Sequence, residues 1–258
     1  MEFGTVRKDL LALTGKGVYR AVFGGKEEYA GLLRLLELTR LPLPVLDSLD
    51  YYKRMDPYTY RHILLVFALS SHLARKVLDG FEEILLETTA GPLHDFGKIC
   101  VPLEILRKET HLRSPERKAL EHHTMAGYVL LAYYLKDPGA IAAVIARDHH
   151  ERLDGTGYPR GISLSSRFVE VVAACDIYDA LISPRPYRKK SYDTRTALEV
   201  LTTMAEEGKI GWDVVQALIS HHRKGKPSPE ECMVSVEKRG KHPEENLYGI
   251  VLDEDDPV

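Results

Sequence analysis

Cysteine is scarce in this sequence: Cys100, Cys175 and Cys232 are the only three in 258 residues. They are far apart, odd in number and form no CxxC pair. That argues against a disulfide framework or a cysteine-based zinc site and fits a reduced cytosol. Long apolar runs are missing too. The VVAAC stretch at 171–175 is far short of the ~20 residues a membrane-spanning helix needs. The first residues, MEFGTVRKDLLAL, have neither the basic start nor the apolar run of a signal peptide. There is no large excess of charge: the formal net charge is -3. A general attraction to polymeric nucleic acid or to an anionic membrane is therefore not expected. No internal repeat or low-complexity tract is present. These absences leave a cytoplasmic globular protein, and 44% hydrophobic with 28% charged residues is ordinary for one.

What the chain does have is histidine. Eight of its eleven histidines lie between positions 62 and 150, several beside acidic residues.

The periodicity is helical almost throughout. Leucines crowd a helix over 26–39, which the LPLP stretch at 41–44 breaks, because proline cannot continue a helix and restricts the residue before it. A helix over 57–79 starts with Pro57 in its first turn, and Gly80 suits its stop. Residues 82–97 read as helical with a break at Gly91 and Pro92. Ser114 and Pro115 start a helix expected to run to about 135. After a turn at Asp137, Pro138 and Gly139, helical spacing resumes to 150. A glycine-rich loop, DGTGYPRGI, occupies 154–162. Residues 166–182 read as an apolar helix, although VEVVAAC alone could be a buried strand. An irregular loop follows at 183–191, then helices near 193–206 and 213–223. Beyond Lys224, CMVSVEK and NLYGIVLD could pair as a small hairpin, and DEDDPV reads as a disordered tail. The expected fold is all-α: a helical extension over 1–50, a main domain over 51–224, and a C-terminal extension over 225–258 with that β-hairpin.

The chemistry centres on HDFGK at 94–98. Histidine offers a neutral nitrogen ligand, and aspartate offers two oxygens that can bridge two cations. On a helix, His94 and Lys98 would share a face one turn apart. An HD dipeptide alone is weak evidence, but its neighbours add to it. His149 and His150 precede the glycine-rich loop, and His122 and His123 lie on the preceding helix. Asp176 ends an apolar run, where a buried carboxylate needs a partner and a metal is a good one. His62 lies beside the apolar face of the 57–79 helix. These imidazoles with two carboxylates are too many ligands for one ion.

In order along the chain stand His62, HDFGK, HHTMAG at 122–127, HHERLDGTGYP at 149–159, CDIYDAL at 175–181 and RPYR at 185–188. This succession resembles the HD-GYP family of the HD phosphohydrolase superfamily, over most of the chain. The resemblance implies an HD-domain helical bundle. It also implies that His62, His94, Asp95, His123, His149, His150 and Asp176 bind metal, with Asp95 bridging. His94 and Asp176 would attend one ion, and His123, His149 and His150 the other. His123 is preferred to His122 because it stands four residues before Gly127. Two ions of iron or manganese are expected, which clamp a phosphate and ease the loss of a proton from a water between them. Tyr58 stands where family members with a third ion carry a glutamate, so two ions are expected and not three.

The implied reaction is hydrolysis of cyclic di-GMP to pGpG and on to GMP, with cyclic GMP-AMP as the alternative substrate and a silent binding module as the alternative role. Lys98 would contact the scissile phosphate beside the catalytic Asp95. Tyr158, Arg185 and Arg188 would complete the substrate contacts, since arginine grips phosphates and guanine edges through paired hydrogen bonds. A GGDEF-domain protein at the GYP loop and a second copy of the chain are the candidate macromolecular partners. Two positions depart from the family pattern: Leu153 replaces a tryptophan before the DG, and Lys108, Glu109 and Thr110 replace a KPG.

Overall fold

The computed structural model describes residues 1–78, 80, 93–184, 190–232, 235 and 237–243. Among these residues there is no strand, only an isolated bridge between Arg152 and Ser163. The helices are α1 (Phe3–Thr14), α2 (Gly17–Phe23), α3 (Lys26–Leu38), α4 (Leu43–Met55), α5 (Pro57–Val77), α6 (Leu103–Leu106), α7 (Ser114–Glu121), α8 (His123–Leu135), α9 (Ile141–Asp148), α10 (Arg167–Ile182), α11 (Thr194–Glu206) and α12 (Trp212–His222). The all-α expectation holds. Most of the proposed hairpin, the start of the 82–97 segment with its break at Gly91 and Pro92, and both Arg185 and Arg188 fall outside the described residues.

Two helices form the spine. In α5, Asp56 caps the N-terminus, accepting from the Thr59 N–H at 3.3 Å and from its hydroxyl at 2.6 Å, while Pro57 occupies the first turn. Nearly every residue from Thr59 to Ala74 is buried, as expected of a helix covered on all sides. Its partner α10 is buried from Phe168 to Ile182. The strand alternative for VEVVAAC is thus settled in favour of helix. The apolar run continues past Cys175 for another two turns, and the Ser166 hydroxyl caps its start by accepting from the Val169 N–H.

The first fifty residues hold more helix than the leucine pattern over 26–39 reveals. Helices α1, α3 and α4 pack on α5, and Val6, Leu10, Val22, Leu32 and Leu36 join the same apolar core as Leu65 and Val172. At 114–135 the expected single helix is divided at His122, between α7 and α8. No helix among the described residues is long and apolar enough to cross a membrane.

Candidate metal centre

The HD motif does not lie on an α-helix, which corrects the expected spacing argument. His94 and Asp95 sit in a turn that leads into a 3-10 helix, Phe96–Cys100. Lys98 still reaches Asp95, its Nζ 2.6 Å from Oδ2, because the tighter winding brings residues three apart together. The turn presses against the start of α8. A Cβ on Gly97 would lie 1.9 Å from the His123 carbonyl oxygen, so only glycine permits this approach. From the other side the Tyr52 hydroxyl donates to the Phe96 carbonyl at 3.1 Å.

Five segments deliver the seven candidate ligands: α5 (His62), the HD turn (His94, Asp95), α8 (His123), the end of α9 (His149, His150) and α10 (Asp176). They fall into two groups. The donor atoms of His62, His94 and Asp176 lie within 4.8 Å of one another, and so do those of His123, His149 and His150. Asp95 stands between the groups. Its Oδ2 is 3.5 Å from His62 Nε2 and 3.4 Å from His94 Nε2, while its Oδ1 is 3.4 Å from His123 Nε2 and 3.9 Å from His149 Nε2. His123 is buried and faces the centre, whereas His122 is exposed.

The hydrogen bonds at the backs of the rings set the tautomers. His123 Nδ1 lies 2.7 Å from the Leu120 carbonyl, and His149 Nδ1 lies 3.0 Å from that of Ile145. Each Nδ1–H therefore donates outward and leaves a lone pair on Nε2 aimed inward. The two inward nitrogens are 3.3 Å apart. In the other group, His62 and His94 Nε2 are 3.4 Å apart. Buried lone pairs and carboxylates that converge in this way fit a cation, which supplies the positive charge the donors lack.

Titration follows the same geometry. Burial pushes His149 down to about 3 and His123 down to about 4, so both rings are neutral at neutral pH. His150 is also pushed well down by burial, with the neighbouring His149 adding to the effect. Burial opposes the charge on Asp95 and Asp176, yet both carboxyls stay well below the usual range. Lys98 and His94 overcome the burial cost at Asp95, and His62 does so at Asp176. For His62, burial alone would lower the value, but Asp176 and Asp179 raise it to about 9.

Three buried residues near the centre carry no assignment from the sequence motifs. Asp179 Oδ2 lies 2.6 Å from His62 Nδ1. Its signal was available, since it follows Asp176 by three residues and so shares its helix face. Tyr19 in α2 donates its hydroxyl to Asp179 Oδ1, and no local pattern announces it. Glu151, fully buried, accepts from the backbone N–H groups of Arg160 at 2.7 Å and Ile162 at 3.1 Å, and so pins the glycine-rich loop. That loop closes on the centre. A Cβ at Gly157 would meet the His150 carbonyl oxygen at 2.3 Å, and the Tyr158 ring stacks on His150 with centroids 4.5 Å apart.

Comparison with known proteins agrees with this architecture. Residues 49–214, well over half of the chain, match the family model described as HD domain. A cyclic di-GMP phosphodiesterase of Pseudomonas aeruginosa is 40% identical over 162 residues, which is 62% of this chain and 38% of that protein. A 3'3'-cGAMP-specific phosphodiesterase of Vibrio cholerae is 31% identical over 191 residues, 72% of this chain and 41% of that protein. The chain thus spans about two fifths of the length of these relatives. Among solved structures, an HDG"Y"P protein from Bdellovibrio bacteriovorus shares the fold, with a TM-score of 0.52 at 18% identity, over 84% of this chain and 68% of the other. With its histidines gathered around one aspartate and residues 49–214 matching the family model, the chain belongs to the HD domain family.

Proposed function

We propose that this chain is a metal-dependent phosphodiesterase that hydrolyses cyclic di-GMP to pGpG and onward to GMP. The observation that carries the reading is the position of Asp95, with one oxygen turned to each of two histidine groups. A carboxylate so placed suits two divalent ions. His62, His94 and Asp176 would hold one, and His123, His149 and His150 the other. Nitrogen and oxygen donors without thiolate suit iron or manganese. Bound there, the ions would neutralise phosphate charge and acidify a water.

The chain's own residues do the rest. Lys98 stands at the rim with its side chain 15% exposed, where its ammonium can meet a phosphate oxygen as charge develops in the transition state. Asp95, ionised and buried, keeps the inward-facing imidazoles in place. Tyr158, stacked on His150, offers the outer edge of its ring to the substrate, and Glu151 holds the loop that carries it. Arg185 and Arg188 would grip the distal part of the dinucleotide. The GYP loop would be the docking point for a GGDEF-domain protein, and the protein would work in the cytoplasm.

The likeness to both a cyclic di-GMP and a 3'3'-cGAMP phosphodiesterase gives cyclic GMP-AMP as the second substrate reading. The test is hydrolysis of each dinucleotide by protein loaded anaerobically with iron or manganese, with products separated by chromatography. Faster turnover of cyclic di-GMP is expected. Preference for cyclic GMP-AMP would reassign the substrate. Two bound metals with turnover of neither would make the chain a silent binding module.

A further inference from the structure

Tyr19 lies in α2, well before residue 49, where the match to the HD domain begins. Its ring is buried, and its hydroxyl donates to Asp179 Oδ1, which also accepts from the Ser183 hydroxyl at 2.7 Å. The other carboxylate oxygen lies 2.6 Å from Nδ1 of His62. A chain of hydrogen bonds therefore runs from the N-terminal helices through α10 to a candidate ligand on α5.

The N-terminal helices are fastened on both sides of this relay. Asp9 of α1 accepts from the Tyr60 hydroxyl at 2.7 Å and from Lys53 at 2.5 Å, which ties α1 to α5 and α4. Lys226 donates to the Val22 carbonyl at 2.9 Å and pairs with Glu28 at 2.5 Å, which ties α2 and α3 to the segment after α12. Tyr19 thus approaches Asp179 from a braced helix.

We propose that Tyr19 is a positioning residue for the metal centre: its hydroxyl fixes Asp179, Asp179 fixes the ring and tautomer of His62, and the N-terminal helices thereby set the affinity of the His62, His94 and Asp176 group for its ion. The inference rests on the two-ion reading above. A carboxylate behind a ligating imidazole orients the ring and raises its basicity, and loss of such support costs about 10- to 100-fold in metal affinity. The hydroxyl of Tyr19 is one of two side-chain donors that hold Asp179 Oδ1, so its loss lets the carboxylate turn.

The experiment is calorimetric titration of metal-free full-length protein with Mn2+. Wild type is expected to bind in two steps. Tyr19→Phe, which keeps the ring, should weaken one step about tenfold or more and leave the other unchanged. Asp179→Asn should weaken the same step at least as much. The double variant should bind no more weakly than Asp179→Asn alone, because the two residues act in series. Tyr60→Phe removes a different tyrosine hydroxyl between α1 and α5 and, because Lys53 still holds Asp9, should leave both steps unchanged. The proposal falls if Tyr19→Phe binds as wild type, if it weakens both steps alike, if the two substitutions add, or if Tyr60→Phe has the same effect. Wild type that binds a single ion would overturn the two-ion reading alone, and Tyr19→Phe would then be compared on that ion. Wild type that binds none would overturn both.

Discussion

Helix α5 carries a histidine in each half, His62 buried and His72 half-buried, and the two live in opposite surroundings. His62 meets Asp95, Asp176 and Asp179, and the last two lift it to about 9 against the cost of burial. His72, ten residues or about 15 Å further along the helix, meets His221, with its Nε2 3.2 Å from His221 Nδ1. Burial pushes His72 down to about 4, with Glu28 acting against it and Lys226, Lys76 and Arg75 adding to it. Burial and the charges around it push His221 down further, to about 2, and its Nε2 has no hydrogen-bond partner. Among the described residues, the donor groups close enough to hold an ion all lie at the first site. The comparison teaches that burying imidazoles does not by itself make a metal site. Carboxylates must converge with them, while a surround of lysine and arginine leaves a neutral packing pair.

Breaking the first cluster should have the largest effect. Asp95→Ala removes the carboxylate that faces both groups. It should lower metal content and cut turnover of the cyclic dinucleotide by about a thousandfold or more, since several kcal/mol of charge stabilisation depend on it. His72→Ala should leave metal content at the wild-type level. Metal analysis beside steady-state kinetics checks both, and full activity in Asp95→Ala would defeat the site assignment.

A smaller loss separates binding of metal from chemistry. Lys98→Ala should reduce kcat by about 100-fold, the usual cost of a lost transition-state donor, while metal content stays intact. Loss of metal along with activity would instead make Lys98 a support for Asp95.

The mildest prediction concerns the second cluster and acid. Above about pH 6.5, the ordinary value for histidine, His72 and His221 are neutral in folded and unfolded chains alike and add nothing to the pH dependence. Below it the unfolded chain takes up protons that the folded rings resist until about pH 4 for His72. Stability should therefore fall as the pH drops through this window. The combined variant His72→Gln, His221→Gln should fall less steeply, by up to about two protons in the slope. Urea unfolding at a series of pH values measures that slope, and an unchanged slope would mean that these rings are not held neutral.

Much of the candidate site was legible because its candidate ligands come in tight local motifs. His94 with Asp95 and His149 with His150 are neighbours in sequence, the first pair in a turn that leads into a 3-10 helix and the second at the end of α9. The preference for His123 over His122 came from the family pattern, and burial of His123 agrees with it. The expectation that HDFGK lies on an α-helix fails, since the motif contains no feature that separates α from 3-10 winding. That choice comes from the close contact of Gly97 with α8. The second strong helix pattern, at 166–182, was ambiguous for a related reason. An apolar stretch buried on every side loses the periodicity that distinguishes helix from strand.

The sequence by itself determined the class of chemistry. Scarce cysteine left imidazole and carboxylate as the ligand types, the ordered motifs named seven of them, and the long helical periods fixed an all-α scaffold. The family resemblance supplied the division of the candidate ligands around Asp95, and only the tertiary structure put His62 with His94 and Asp176 and placed Tyr19 and Asp179 behind it. The contacts of Asp179 with Tyr19 and His62 join residues more than a hundred positions apart. No local pattern encodes them, because they depend on how α2, α5 and α10 pack against one another.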